Sequence, residues 1–426
     1  MNKIKYLFLA SIAALSLTAC DSASSTKGNT LPSGGTTIDV TTEAGSIEVK
    51  QKLSKNIQET VKGLNSVKIT STLDNTNYTA KVSTTGLSQS PIQGVTVQDI
   101  DATLKVKDLK AKAEFQLLGL DKTYADLQGV ASLNVNGGIS FTGNLPDVSN
   151  LSVEGKSATV SNKKYSYSLT AKDVDLLAYY KDNTLYGDFS DEGLYSLVED
   201  VDTTAKKVLT DFPMLTSYVK DINILDSFNS FLGTSKKISY DFTSLIGEKA
   251  TDKILPEIND EDIDNLDEYL TEVLTYLVEV NNKYNFNIVT FKKYENGRFG
   301  LSYSLNKDQY IQLILSTYVE WDNENEQSSS TNVLSTIKDE LNESIKKFEI
   351  KGAVLFDENG LLTKYGTSEN IKINSSYPIS IVDNEIVSKI NVEMEVSSGF
   401  TTEIAYNQAI QLPSDLSGFT PIKFSD

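Results

Sequence analysis

Several long stretches of this 426-residue chain alternate strictly between apolar and polar residues. A period of two puts the apolar side chains on one face of a β-strand and the polar ones on the other. Antiparallel sheets with one packed face and one wet face carry this pattern. The apolar positions fall in four sets, Ala102, Leu104 and Val106; Ala113, Phe115 and Leu117; Tyr165, Tyr167, Leu169 and Ala171; and Ile390, Val392, Met394 and Val396.

Other stretches have the spacing of amphipathic helices, with apolar residues three and four positions apart. One of these helices is predicted to begin after Asn306, which is then its N-cap, with Gln309 at the third helical position. Together with the strands they predict an α+β fold: a large curved antiparallel β-sheet, or two related sheets, packed with several amphipathic helices. The apolar faces are Val49, Leu53, Ile57, Val61 and Leu64; Leu266, Leu270, Val273, Leu274 and Leu277; Tyr310, Ile311, Ile314, Leu315, Tyr318 and Val319; and Leu334, Ile337, Leu341, Ile345 and Phe348.

Two short motifs predict tight hairpins, Asp182-Asn183 and Asn359-Gly360. A hairpin followed by a helix start is predicted twice, over residues 176–198 and again over 287–315. This recurrence suggests two related halves that divide near residue 200.

Composition removes most catalytic chemistry. The chain has no histidine, which is the usual general base near neutral pH, and a single cysteine. No phosphate-binding, nucleophile-elbow or aspartic-protease motif is present, so we predict neither an enzyme nor a bound cofactor. The net charge of −19 repels phosphate backbones, which argues against a nucleic-acid partner.

One group of carboxylates has the spacing of a metal site. Asp260, Asp262 and Asp264 alternate along the chain, and calcium prefers oxygen ligands of this kind. The sixth position of an EF-hand loop would be Asn265 rather than glycine, and the twelfth would be Thr271 rather than glutamate. An acidic first turn that complements the helix dipole is the favoured interpretation.

The only cysteine, Cys20, closes an N-terminal segment with the layout of a secretory signal. Lys3 and Lys5 are followed by an apolar run of about twelve residues, which is too short to span a bilayer. The sequence Leu17-Thr18-Ala19-Cys20 resembles the lipobox of bacterial lipoproteins. The resemblance implies that residues 1–19 are a signal peptide and that Cys20 becomes a lipidated N-terminus.

The remaining chain is then expected to lie outside the cytoplasm, anchored to the cell membrane through the lipid on Cys20. Residues 20–45 are rich in Ser, Thr and Gly and are expected to form a flexible tether. Residues 46–426 are expected to form the globular body.

The body resembles the LolA/LppX-like lipoproteins and lipoprotein carriers in its order of helix, strands and helices. The local likeness is carried by the strand–hairpin–strand step at 351–373 and by QLPSDLSGF at 411–419. In that family a curved sheet plugged by helices encloses an apolar space. The resemblance implies a protein that binds or transfers an apolar or amphipathic ligand, whose binding residues the sequence leaves unknown. The alternative is a non-enzymatic surface lipoprotein that acts through protein or glycan interactions.

Overall fold

The computed structural model describes residues 31–54, 60, 63–89, 95–154, 157–219, 222–233, 235–243, 247, 260–284, 288–324, 331–382, 385–413 and 415–422. Within these residues, fourteen strands and six helices form a mixed α+β fold dominated by one large, mainly antiparallel sheet that does not close. The predicted α+β class with a large antiparallel sheet is confirmed. The strands form one sheet rather than two.

The strands are β1 (Thr36–Ile38), β2 (Ser66–Thr85), β3 (Val95–Val97), β4 (Asp101–Leu118), β5 (Gln128–Glu154), β6 (Ser157–Lys181), β7 (Thr184–Asp188), β8 (Lys237–Asp241), β9 (Val289–Lys293), β10 (Phe299–Asn306), β11 (Ile345–Phe356), β12 (Leu362–Val382), β13 (Glu385–Tyr406) and β14 (Thr420–Pro421). The described helices are α1 (Glu43–Ser54), α2 (Glu192–Asp211), α3 (Ile224–Leu232), α4 (Asp260–Tyr284), α5 (Lys307–Glu324) and α6 (Thr331–Ser344).

The strand order across the sheet is β1-β9-β10-β11-β12-β13-β2-β4-β5-β6-β7-β8-β14, with β3 beside β6. The β3–β6 and β8–β14 pairs are parallel, and the other pairs are antiparallel. β13 pairs with β2, so strands from the two ends of the chain meet in the middle of the sheet. The two predicted hairpin-then-helix segments are β6–β7–α2 and β9–β10–α5.

Three long strands contain an extra residue that keeps their apolar side chains on one face. In β4 the register passes from Lys107 opposite Gly138 to Lys110 opposite Asn136, so β4 advances one residue more than β5. Asp108 in this bulge has φ 49°. The bulge joins Ala102–Val106 and Ala113–Leu117 into one strand, and it turns both sets to the same side. Equivalent extra residues occur near Asn75 in β2 and Asp173 in β6, both with positive φ.

We call the resulting side of the sheet the apolar face. It carries Leu104 and Phe115 of β4, Leu133 of β5 and Tyr167 of β6, which the pairing registers place on the same side. The opposite face carries the intervening polar residues, such as Lys105 and Lys112.

The helices cover the two sides of the apolar face. α1 and α4 bury Val49, Leu274 and Leu277 against Phe291 and Phe299. α5 and α6 pack beside them on β10, β11 and β12 in a core with the buried residues Ile288, Leu305, Ile311, Leu313, Ile345, Phe348 and Ile350. At the other side of the face, α2 packs on β6 and α3 packs on α2. No helix in the described parts of the chain has the length and apolar character to cross a membrane.

The start of α5 agrees with the predicted capping box. The Gln309 backbone N–H donates to Asn306 Oδ1 at 3.0 Å, and the Asn306 N–H donates to Gln309 Oε1 at 3.0 Å. The predicted helix through Phe348 is wrong in its last turn, because α6 ends at Ser344 and both Ile345 and Phe348 belong to β11.

The N-terminal helix is described as α1 over Glu43–Ser54 and contains Val49 and Leu53. The predicted positions Ile57 and Val61 lie outside the described residues, and Leu64 is buried beyond this helix.

Part of the predicted tether is folded. Residues 36–38 form β1, which pairs with β9 through Ile38 opposite Phe291. Ile38 is buried in the core beneath α1, and this burial holds the segment on the sheet. The folded body therefore begins before residue 46. Cys20 and the signal segment lie outside the described residues.

Candidate ligand-binding groove

The middle of the apolar face has large hydrophobic side chains that remain accessible. The described helices pack mainly on β6 at one side and on β10–β12 at the other, and β13, β2, β4 and β5 lie between them. In this region Leu104 is 39%, Phe115 42% and Ile139 46% exposed. Leu104 and Ile139 lie near one end of the β4–β5 pairing, and Phe115 lies near the other end, beside the groove described next.

A groove of about 750 Å³ lies at the β4–β8 end of this surface. The strand registers explain where it forms. Phe115 pairs with Ala131, Ala131 with Ala178, Ala178 with Gly187, and Gly187 with Ile238. Three small residues thus stand side by side on β5, β6 and β7, and they form a shallow floor between larger neighbours.

Aromatic residues form the walls of the groove. The Phe189 ring lies against Gly187, where an added Cβ would come within 2.6 Å of the Phe189 Cε2 atom. Tyr240 and Phe242 pack edge to face with ring centroids 5.0 Å apart. Phe231 of α3 closes one side of the groove. Rigid aromatic side chains of this kind suit apolar ligands.

Asp202 fixes the angle between the two helices at this side of the groove. This residue of α2 is buried, and its carboxylate accepts the Ile224 and Leu225 N–H groups at 2.8 and 3.4 Å. It therefore caps the N-terminus of α3 from a neighbouring helix. The Lys206 ammonium at 2.7 Å, followed by these backbone bonds, lowers the pKa of Asp202.

The C-terminal end of α2 is held on β6 by a second carboxylate. Asp211 accepts hydrogen bonds from Lys163 Nζ at 2.9 Å and from Tyr167 Oη at 2.8 Å. The Lys163 bond and then the Tyr167 bond lower the pKa of Asp211. Phe212, just beyond the helix, stacks on Tyr165 with ring centroids 4.8 Å apart. Together with the cap from Asp202 in the middle of α2, these contacts at its C-terminal end position α3, and with it Phe231.

The charged residues beside the groove are paired with each other. Asp188 lies 2.9 Å from Lys237, and Glu114 lies 2.6 Å from Lys112. Burial opposes ionisation of Asp188, but the bonds from Ser190 and Lys237 outweigh it and its pKa is lowered. The Lys112 hydrogen bond is the main cause that lowers the pKa of Glu114. Both carboxylates are thus ionised at neutral pH with a cation beside them.

A separate polar group, the tyrosine cluster, lies on the apolar face near α5 and consists of Tyr303, Tyr365, Thr367 and Glu369. Tyr303 Oη donates to Thr367 Oγ1 at 3.3 Å, and Thr367 and Glu369 are buried. Burial raises the pKa of Tyr303 and of Tyr365, so both phenols are protonated at neutral pH. The Tyr303 ring reaches Thr367 by crossing Gly352, the residue that pairs with Tyr303 in the neighbouring strand.

The described lining of the groove comes from other parts of the chain than the site residues named from the sequence, and Cys20 lies outside the described residues. Asp260, Asp262 and Asp264 lie in the first five residues of α4. No set of three or more His, Cys, Asp or Glu residues in the described ranges could hold a metal ion. The groove residues themselves were not predicted, because Ala131, Ala178 and Gly187 become neighbours only through the strand registers.

Comparison with family models, with curated proteins and with solved structures finds no match to this chain.

Proposed function

We propose that this protein is a membrane-anchored extracytoplasmic lipoprotein whose groove binds, and transfers, a ligand with an alkyl chain. The observation that carries the proposal is the apolar groove of about 750 Å³ on the open part of the apolar face. Its volume is within the range of about 300–1,000 Å³ for small-ligand sites. In this proposal the bulges at Asn75, Asp108 and Asp173 curve the sheet around the apolar face, as the LolA/LppX resemblance implies.

The N-terminal segment and the groove lie at the same end of the strands, although β1 is at the opposite edge of the sheet from β8. Thr36 pairs with Lys293, at the end of the sheet where β10 and β12 begin and where β4 and β6 finish. The groove residues Phe115 and Ala178 lie near this same end of their strands. A lipid on Cys20 would therefore hold the groove towards the membrane from which an acyl ligand is taken.

The test uses the chain without residues 1–19 and with Cys20→Ser, which retains every described residue. Native mass spectrometry, before and after organic extraction, should show an alkyl species that is bound and then removed. Ala178→Trp fills the floor of the groove and should abolish uptake. Thr142→Trp puts the same side chain on the polar face and should leave uptake unchanged.

An unliganded mass in all three proteins, even after incubation with alkyl lipids, would reject the proposal. Anchoring is tested separately in the full chain by metabolic labelling with palmitate, which Cys20→Ser should abolish.

One observation favours the alternative function, a surface lipoprotein that acts through protein or glycan contacts without catalysis. At the far end of the β12–β13 hairpin, Tyr377 is 57%, Ile379 45% and Ile386 59% exposed. Ile386→Ser should abolish capture of a partner while alkyl uptake in the groove remains normal. Loss of alkyl uptake in the same variant would contradict this separation of the two surfaces.

A further inference from the structure

We infer that the groove selects alkyl ligands with an uncharged head group and discriminates against those with a carboxylate. This inference rests on the proposed function, because it names the class of alkyl ligand that the same groove takes. The described lining residues that point into the groove are apolar, apart from the Tyr240 phenol.

The side chains of the polar residues at the groove margin point away from the groove. Glu114 pairs with Ser132, which pairs with Leu177, and Leu177 pairs with Asp188. This row alternates with the row of Ala131 and Ala178, so its side chains project from the opposite face of the sheet. An alkyl chain in the groove meets their backbone rather than their charged groups.

Three lysines near this end of the sheet are already engaged. Lys237 pairs with Asp188 at 2.9 Å, and Lys236 Nζ lies 4.0 Å from the centre of the Tyr195 ring. Lys112 pairs with Glu114 at 2.6 Å. A ligand carboxylate that paired with one of these lysines would displace its partner, and a carboxylate inside the groove would lose water with no cation among the described lining residues. Both routes are unfavourable.

The charge of the whole chain acts in the same direction. A net charge of −19 produces a negative potential that lowers the local concentration of anions and leaves neutral molecules unaffected. The groove interior and the long-range field therefore both favour a neutral head group, such as an alcohol or an ester.

The experiment compares two ligands that differ only in the head group. The protein is the chain without residues 1–19 and with Cys20→Ser, after organic extraction. At pH 8, dodecanol and dodecanoate each compete for it against a fluorescent alkyl probe with a neutral head group. We expect dodecanol to bind at least about tenfold more tightly than dodecanoate, a difference in binding free energy of about 1.4 kcal/mol. The difference in affinity between dodecanol and dodecanoate should decrease with added salt, because salt screens the long-range repulsion between dodecanoate and the negatively charged protein.

Ala131→Lys puts a cation on the groove floor and should shift the preference towards dodecanoate, whereas Thr142→Lys on the polar face should not. Circular dichroism checks that both variants are folded, and the wild-type comparison is decisive by itself. Equal binding of the two ligands, or tighter binding of dodecanoate, would overturn this inference and leave the proposed function standing. Failure of both ligands and of the probe to bind would reject the proposed function, and this inference with it.

Discussion

Gly352→Ala tests how closely the tyrosine cluster is packed. A Cβ at this position would lie 2.3 Å from Tyr303 Cζ and 2.4 Å from both Tyr303 Cε1 and Oη. Ordinary contacts of a Cβ atom begin at about 3.4 Å. The Tyr303 ring would have to leave its place over Gly352, and its bond to Thr367 would break.

The expected cost follows from these contacts. Forcing an extra methyl group into a packed core costs about 1–3 kcal/mol, and the lost hydrogen bond adds about 1 kcal/mol. Alanine also makes the unfolded chain less flexible than glycine does, which stabilises the folded state by about 0.4–1 kcal/mol. We therefore expect the free energy of unfolding to fall by about 2 kcal/mol, the middle of the range that these values span.

The assay is urea unfolding followed by circular dichroism. Gly138→Ala is the matched control in the same sheet, because its nearest non-neighbouring atom would be 3.6 Å away and its φ is not positive. In a Tyr303→Val background the ring is gone, so Gly352→Ala should cost little. If Gly352→Ala costs the same in both backgrounds, the Tyr303 ring is not the cause and the reasoning fails.

Asp202→Ala removes the cap of α3, so the amide hydrogens of α3 should exchange faster with deuterium, as measured by mass spectrometry. Those of β2 should stay protected. Unchanged exchange in α3 would contradict the role of Asp202 as its cap. Acid should destabilise the fold, because paired carboxylates in the native state have pKa values below their ordinary 3.8 for aspartate and 4.5 for glutamate. The carboxylates stabilise the folded state fully above their ordinary pKa values. This stabilisation is lost as the pH falls through their lower native pKa values, so Tm should drop between pH 5 and pH 3. The carboxylates concerned are Glu114, Asp188, Asp202 and Asp211. Asp108→Val should lower stability by about 1–2 kcal/mol at its positive φ, whereas Asp108→Gly should be neutral or stabilising in urea unfolding.

The alternation in the sequence predicted the strands well because a half-buried antiparallel sheet leaves a direct imprint on each strand. It did not show that Ala102–Val106 and Ala113–Leu117 belong to one strand. The apolar residues change from even to odd positions between the two sets, which in a sequence resembles the end of a strand. No glycine marks the bulge. Asp108 adopts the positive φ instead, which aspartate and asparagine tolerate better than most residues.

The boundary between α6 and β11 shows a second limit. Ile345 and Phe348 continue the helical spacing of Leu341, yet they lie in a strand. Both buried residues pack into the same core as Leu341, and Phe348 also pairs with Ile371 of β12. A short apolar run satisfies either conformation locally, and the pairing with β12 decides between them.

The groove was only partly predictable, and the registers show why. The Asp182-Asn183 turn was recognised in the sequence, and a two-residue turn puts Ala178 opposite Gly187. The pairing of Ala131 with Ala178 does not follow from a turn in this way. Between the Glu154–Ser157 end of the β5–β6 ladder and Ala131 the register shifts twice, once near Pro146 and once near Gly137.

The contrast between the two sides of the apolar face explains why the groove lies where it does. On β9–β11 the face carries Phe291, Phe299 and Phe348, and helices pack directly on these large side chains. On β5–β7 the same face carries Ala131 and Ala178, which leave the space above them unfilled. A shift of one residue in either register would turn these alanines to the polar face, because successive side chains of a strand alternate. The groove therefore depends on the bulges and the tight turn as much as on the small residues themselves.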